Sequence, residues 1–355
     1  MKVKLSDITN YSKGAQINGD ELIENGEYIY LNGGINPSGR WSSSNVSGDT
    51  VTISEGGNSS GYVNYISEPF WCGAHCYYLY DGPSNSKYLY YALKSQQDRL
   101  FAIRSGACMP NIKKSDLGNF ELEFDSDEQK QNEIVNILSN VEQVISSRQK
   151  ELELFDELIK ARFVEMFGDL EKNEKGWDER PLLDVCNQLK RYPTFCNMDY
   201  LEQGTRVIRI GNILLDGHMD VDDNNYVFVY DTVNEDFPDT VISINDIVMA
   251  VRGDGSAAKR IGIIQEEKLV GANISPNLIR IQANTRKVAP LFLFHYLISE
   301  VGQKRLDSYV NKTAKKNIAA KDIAKVKTPI PEIGLQNEYV DFVKQVDKSK
   351  FINVA

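Results

Sequence analysis

The sequence predicts an α+β protein built from two similar mixed domains and two long helices. Three observations carry this. The run Asn111-Ile112-Lys113-Lys114-Ser115-Asp116-Leu117, followed by Gln131-Asn132-Glu133, returns about 205 residues later as Asn317 to Ile323 followed by Gln336-Asn337-Glu338. A repeat this long is the signature of a duplicated domain and not of a solenoid, whose periods are roughly 20 to 50 residues. Short runs rich in aromatic and β-branched residues, bounded by Gly, Asn and Ser, fill the first part of each half. A heptad pattern then closes each half.

Weaker similarities extend the repeat. Leu5, Asp7 and Ile8 align with Leu182, Asp184 and Val185. Gly48-Asp49-Thr50-Val51 aligns with Asn245-Asp246-Ile247-Val248, Gly73-Ala74-His75 with Gly271-Ala272-Asn273, and Tyr88–Leu93 with Phe292–Leu297. The offset drifts between them, so loops differ in length while the order of elements is kept. The expected organisation is a first domain over 1–125, a long helix over 126–170, a second domain over 171–333 and a second helix over 334–355. The 355 residues suffice for two cores.

Strands are expected at Glu27–Leu31, Thr50–Ser54, Gly61–Ile66 and Cys76–Tyr80. In the second half they are expected at Thr205–Ile210, Asn225–Val229, Asp246–Val251, Arg260–Ile264 and Leu278–Ile281. A helical stretch follows in each, about Ser86–Arg104 and Pro290–Tyr309. From Ile134 the apolar residues Leu138, Val141, Ile145, Leu152, Phe155, Ile159 and Met166 trace a seam that Arg148 and Arg162 interrupt. The same register recurs at Tyr339, Val343 and Val346. Narrow apolar stripes of this kind seek one partner helix, so the two helices are expected to pair as an antiparallel coiled coil and give the chain a pseudo-two-fold repeat. The second helix, stopping at Ala355, falls some 20 residues short of the first, which leaves the far turns of the longer helix in need of another partner.

Hydrophobic residues make up 41% of the chain and charged residues 25%, the balance of a globular protein. There is neither a long apolar run nor a signal-peptide layout, which excludes a membrane partner. The five cysteines, Cys72, Cys76, Cys108, Cys186 and Cys196, are odd in number and scattered. A reducing cytoplasm suits them.

The order of elements, together with Gly176-Trp177 to Val185 at a domain start, Ser105-Gly106-Ala107-Cys108-Met109-Pro110 running into Asn111, and Ala161 to Asp169 closing the long helix, resembles the DNA specificity subunit of type I restriction-modification systems. The resemblance covers essentially the whole chain. It implies a non-catalytic subunit with no cofactor of its own. Each domain would be a target recognition domain reading one half of a bipartite duplex site. The helices would act as a ruler for the unread spacer and as a dock for two methyltransferase subunits, which restriction subunits then join.

The residues agree with a non-catalytic role. The chain has no methylase tetrapeptide beside a glycine-rich cofactor loop, Asn36-Pro37-Ser38 being the nearest approach, and no Walker loop. Gly56 to Gly61 reads as a strand-to-strand loop and not as a phosphate cradle. Pro238-Asp239 with Glu266-Glu267-Lys268 could be forced onto a metal-nuclease pattern, but such short elements arise by chance. Cys72, His75 and Cys76 lack a fourth zinc ligand and read as a buried thiol pair, so no metal is expected.

Net charge, −10, opposes DNA binding in bulk. Its distribution is more favourable: Lys312, Lys315, Lys316, Lys321, Lys325 and Lys327 form a basic stretch, and Arg252, Lys259 and Arg260 flank a glycine-containing loop. Base readout uses Arg or Lys for guanine and Asn or Gln for adenine. On that chemistry the candidates are Lys13, Gln16, Arg40, Asn58 and Ser59 in the first domain. In the second they are Lys190, Arg191, Arg209, Arg252 and Lys259, with Arg260, Lys312, Lys315 and Lys316 as phosphate contacts. The rival reading is a coiled-coil adaptor that binds only protein.

Overall fold

The computed structural model describes residues 1–106, 108–191, 199–251, 260–311 and 317–352. It divides into two compact units, Met1–Ser147 and Arg148–Ala355.

In chain order the first unit comprises β1 (Lys2–Lys4), α1 (Leu5–Ile8), β2 (Asn10–Lys13), β3 (Tyr28–Leu31), β4 (Gly39–Trp41), β5 (Thr50–Ser54), β6 (Val63–Ile66), β7 (Trp71–Cys72), β8 (Cys76–Tyr80), α2 (Ser86–Lys94), α3 (Gln97–Ala102), α4 (Lys114–Gly118) and β9 (Glu121–Glu123). The 40-residue α5 (Glu128–Phe167) begins here and continues into the second unit. After it come β10 (Asp178–Pro181), β11 (Cys186–Arg191), β12 (Thr205–Ile208), β13 (Val227–Val229), α6 (Thr232–Asp236), β14 (Ile247–Ala250), β15 (Ile261–Ile263), β16 (Asn273–Ile274), β17 (Leu278–Ala283), α7 (Pro290–Ile298), α8 (Glu300–Asp307), α9 (Ala320–Ile323), β18 (Lys327–Ile330) and α10 (Ile333–Ile352).

The sheets repeat strand for strand. A four-stranded antiparallel sheet has the order β2-β8-β5-β6 in the first unit and β11-β17-β14-β15 in the second. Three-stranded sheets β4-β3-β7 and β13-β12-β16 each join one antiparallel and one parallel pair. Two-stranded ribbons β1-β9 and β10-β18 tie the start of each unit to its end. Strand register also refines the alignment read from sequence. Thr52 opposite Tyr78 corresponds to Val248 opposite Arg280. Asp49 therefore matches Asn245, one residue away from the expected Asp246, and both take left-handed backbone (φ 55 and 65). Likewise the pairs Leu31–Cys72 and Ile208–Ile274 match Gly73 with Ser275, four residues beyond the expected Gly271.

The long repeated motifs have structural reasons. Ile112 and Leu117, like Ile318 and Ile323, are buried at the packing turn before each ribbon strand. Gln131 and Gln336 are also buried, in the first turns of α5 and α10. The side-chain amide of Gln131 donates to Asp125 O at 2.6 Å, and that of Gln336 donates to Pro331 O at 2.7 Å. Each glutamine thereby fastens its helix to the preceding segment.

In the first unit, Leu5, Val51, Ile53, Tyr77, Leu89 and Leu93 build the main core, and Leu31, Phe70, Cys72 and Cys76 build a smaller one under the three-stranded sheet. The second unit has the same pair of cores, the larger extended by α5 and α10. There Phe163 and Phe167 each lie 5.4 Å from Tyr339, the Arg162 guanidinium sits over Phe342, and Lys350 bridges to Asp156 at 2.7 Å. Positions fall along α5 as they rise along α10, so the packing is antiparallel. Ile159, Tyr339, Val343 and Val346 are buried in it, and Leu152 and Phe155 are half-buried. The heptad count missed its centre, because Phe163 and Phe167 carry the aromatic contacts. Ile134, Leu138, Val141 and Ile145 lie in the first unit and are 38%, 37%, 49% and 52% exposed, so the first turns of the seam are open. There α5 is held by polar contacts to α2 instead, with Tyr91 donating to Glu142 at 2.6 Å.

Candidate nucleic-acid interface

One end of the four-stranded sheet of the first unit is where four connections gather. These are the chain leaving β2 at Lys13, the β5–β6 connection Glu55–Tyr62, the turn Gly73–His75, and the segment from Arg104 to Asn111. Ser105 and Asn111 pair backbone to backbone in that last segment, and Asn311 donates to Asn317 O at the equivalent place in the second unit. The matching end of the second unit is bounded by Arg191, Val251, Arg260 and Ser275–Asn277. Arg252, Lys259, Lys312, Lys315, Lys316 and Cys196 lie outside the described residues.

Several candidates from the sequence converge here. Lys13, opposite Tyr77, and Arg191, opposite Ile279, occupy the same register. Lys13 pairs with Glu55 at 2.5 Å, and His75 Nδ1 lies 3.4 Å from the other carboxylate oxygen. Asn58 is exposed in the adjoining connection, and Ser59 donates to Gly33 O at 2.6 Å, clamping it. In the second unit Arg191 donates twice to Pro276 O, at 3.1 and 3.2 Å. Arg209 donates to Asn225 O at 3.0 Å, on the wall of a polar cleft of about 770 Å³ lined also by Tyr200, Asn212, Asp220 and Asn277. By register the counterparts of Arg209 and Asn277 are Asn32 and His75, which are themselves linked, His75 N donating to Asn32 Oδ1 at 3.2 Å. The two units thus present equivalent positions with different side chains.

Other candidates do not join this end. Arg40 uses its guanidinium on Gly26 O and Glu27 O, at 2.5 and 2.7 Å, pinning a turn near the start of β3. Gln16 is exposed just past Lys13, and its side-chain amide donates to the neighbouring Ile17 O at 3.0 Å. Lys190 projects to the opposite sheet face from Arg191, as alternate strand residues do, and pairs with Asp239 at 2.9 Å. Arg260 starts at the right strand end but donates to Ile213 O at 3.2 Å and lines a separate cavity of about 410 Å³ with His218 and His295. Lys325 pairs with Asp322 at 2.9 Å within the α9 turn, and Lys327 lies on the ribbon strand β18.

The competing chemistries find no geometry. Asp239 is held by Lys190, whereas Lys268 bonds to Asp223 and Val221 O, so the nuclease pattern is not assembled. Cys72 and Cys76 are buried in the small core, and the neighbouring thiol together with burial pushes the Cys72 thiol far up. Among the described residues no cluster of three or more His, Cys, Asp or Glu could hold a metal. Among them, too, no helix is long and apolar enough to cross a membrane. A buried ion pair was not visible in the sequence: Arg280 and Asp246, 2.7 Å apart, lie inside the second sheet, with Arg280 also donating to Asp239 O and Ser243 Oγ. Burial raises the Asp246 carboxyl against the opposing pull of its hydrogen bonds and of Arg280.

Comparison with known proteins bears on the whole chain. The family model described as the type I restriction modification DNA specificity domain matches residues 1–154 and 174–353. A Mycoplasma genitalium chain named as a type I specificity subunit is 36% identical over 141 residues, covering 39% of this chain and 37% of that one. The MjaVIII specificity subunit of Methanocaldococcus jannaschii is 24% identical over 275 residues, 73% of this chain and 63% of that one. The match therefore spans less than two thirds of the length of either relative. The crystal structure of a type I restriction-modification S subunit from M. genitalium has the same fold, with a TM-score of 0.65 at 21% identity over 99% of this chain and 90% of that one. With the family model covering nearly every residue and both units sharing one topology, this chain belongs to the type I restriction modification DNA specificity family.

Proposed function

We propose that the chain is the non-catalytic DNA-recognition subunit of a type I restriction-modification complex in the cytoplasm. Each unit reads one half of a bipartite duplex target, and the helices set the spacer and dock two methyltransferase subunits, with restriction subunits joining that assembly. The observation that carries this reading is the recurrence, at one strand end of both units, of equivalent polar positions bearing different residues: Lys13, Asn32 and His75 against Arg191, Arg209 and Asn277. Duplicated scaffolds with divergent polar tips are what two different half-sites require, because base edges are told apart by donor and acceptor pattern. The net charge of −10 gives the chain no bulk attraction for phosphate, so on this reading the partner subunits add to it.

The open seam at Ile134, Leu138, Val141 and Ile145 supports a helical protein partner, and on its own it would equally serve an adaptor without DNA specificity. A gel-shift with purified methyltransferase subunits separates the two. The reconstituted complex is expected to prefer one bipartite duplex over random DNA at one stated salt concentration. Equal binding to all duplexes would leave only the adaptor.

A further inference from the structure

We infer that Glu55 is a base-reading residue of the first unit and that its ligand is the exocyclic amine of a cytosine in the major groove. The inference rests on the proposed DNA-recognition role and goes beyond it by assigning a base class to one side chain.

Glu55 follows directly on β5 and is locked by its backbone. Its N–H donates to His75 O at 2.8 Å, and its carbonyl accepts from Ile112 N at 2.9 Å and from Ser60 Oγ at 2.7 Å. Its carboxylate is fixed from two sides, by Lys13 at 2.5 Å and by His75 at 3.4 Å. The side chain is 16% exposed between neighbours that are 41% and 60% exposed. A carboxylate has about four lone-pair directions, and two donors leave acceptor capacity pointing outward.

The surface beside it is bare. A Cβ added at Gly56 or Gly57 would meet nothing within 4 Å. The left-handed backbone of Gly57 (φ 78) explains that glycine. Gly56 has no such need, and its missing side chain leaves room for a close approach to the carboxylate. The fold itself does not require an acid here, since the register-equivalent residue in the second unit is Val251, which ends β14 in the same way and is buried. A carboxylate among DNA-facing loops repels phosphate, and with Lys13 and His75 taking part of its acceptor capacity, the remainder suits a donor carried by the duplex. Two bases offer an amine in the major groove, cytosine at N4 and adenine at N6, but the adenine amine sits beside the N7 acceptor, which repels a carboxylate, so cytosine is the partner that fits. Lys13 and His75 keep the acid positioned, and Lys13 offsets its charge as the duplex approaches.

The test is selection from a random duplex library by the complete complex reconstituted with methyltransferase subunits, comparing wild type, Glu55→Gln and Glu55→Ala. The wild type is expected to select a bipartite motif with a cytosine in one half. Both variants should lose about tenfold or more of the discrimination for that cytosine, the range of one base-edge contact, while the other half-site stays unchanged and reports that the protein is folded. Glu55→Gln, which keeps the shape, should move the preference toward adenine at that position. An identical motif for wild type and both variants would overturn the inference and leave the recognition role standing. A wild-type complex that selects no motif would overturn both.

Discussion

His295 makes the second unit acid-labile, and the size of the effect can be worked from its surroundings. It lies on α7 with its Nδ1 2.6 Å from the Tyr339 hydroxyl of α10. Burial, aided by His218 and Lys350 and opposed by Asp156, pushes its pKa from the usual 6.5 down to about 3. The unfolded chain therefore takes up a proton that the folded chain refuses. Its contribution to stability is fully present above pH 6.5 and is lost as pH falls toward about 3. The slope is at most about 1.4 kcal/mol per pH unit, so acidification from pH 7 to pH 5 costs up to about 2 kcal/mol. This is a ceiling, because the ring borders a cavity that water can enter. Trp177, whose indole donates to Phe167 O at 2.8 Å, reports on this helix packing. With Trp41→Phe and Trp71→Phe as background, urea midpoints read from Trp177 fluorescence should fall more steeply between pH 7 and pH 5 for the parent than for His295→Gln. Equal slopes in the two proteins would refute the reasoning.

Three further outcomes are expected. Inserting one heptad in α5 between Arg148 and Glu153 adds about 10 Å of helix, so the preferred spacer should lengthen by about three base pairs with both half-site sequences unchanged; methylation-site sequencing reads this directly, and an unaltered spacer would mean that α5 does not set it. Arg280→Met should lower the stability of the second unit by about 3–5 kcal/mol, because it leaves Asp246 buried without its partner, and calorimetry should show one transition falling while the other stays. Leu138→Asp with Ile145→Asp should change the stability of the isolated chain by no more than about 0.5 kcal/mol, since both sites are open, yet weaken capture of methyltransferase subunits in a pull-down.

The fold was legible where local chemistry and packing agree. The strand at Thr50–Ser54, the helix closing at Phe167 and the duplication itself all follow from patterns that tertiary contacts reinforce. The strands β1, β7 and β16, of two or three residues each, were not legible, because their pairing is decided by distant partners and too few residues remain to show an alternation. Sequence alignment slipped by one residue at Asp49 for a related reason: only the ladder distinguishes Asn245 from Asp246 as the left-handed turn residue. Among site candidates, Lys13, Arg191 and Arg209 stood out by type and location. Arg40 could not be told apart from them, since whether a guanidinium faces solvent or a nearby carbonyl is settled by loop geometry. Glu55 and the Arg280–Asp246 pair escaped notice because an acidic residue near a glycine cluster, or an alternating Arg in a strand, carries no local sign of its partner.

Gln131 and Gln336 have a practical consequence. Gln131 anchors its helix to Asp125 O, six positions upstream, whereas Gln336 binds Pro331 O five positions upstream and also accepts from Ala289 N at 2.8 Å and donates to Lys287 O at 3.4 Å, at the entrance of α7. A splice made just upstream of Asp125 would carry the first fastening along with its helix, whereas one just upstream of Pro331 would part Gln336 from Lys287 and Ala289. On the proposed role, exchanging the first domain upstream of Asp125 would leave the anchorage of α5 intact, whereas a replacement second domain has to bring its own partners for Gln336.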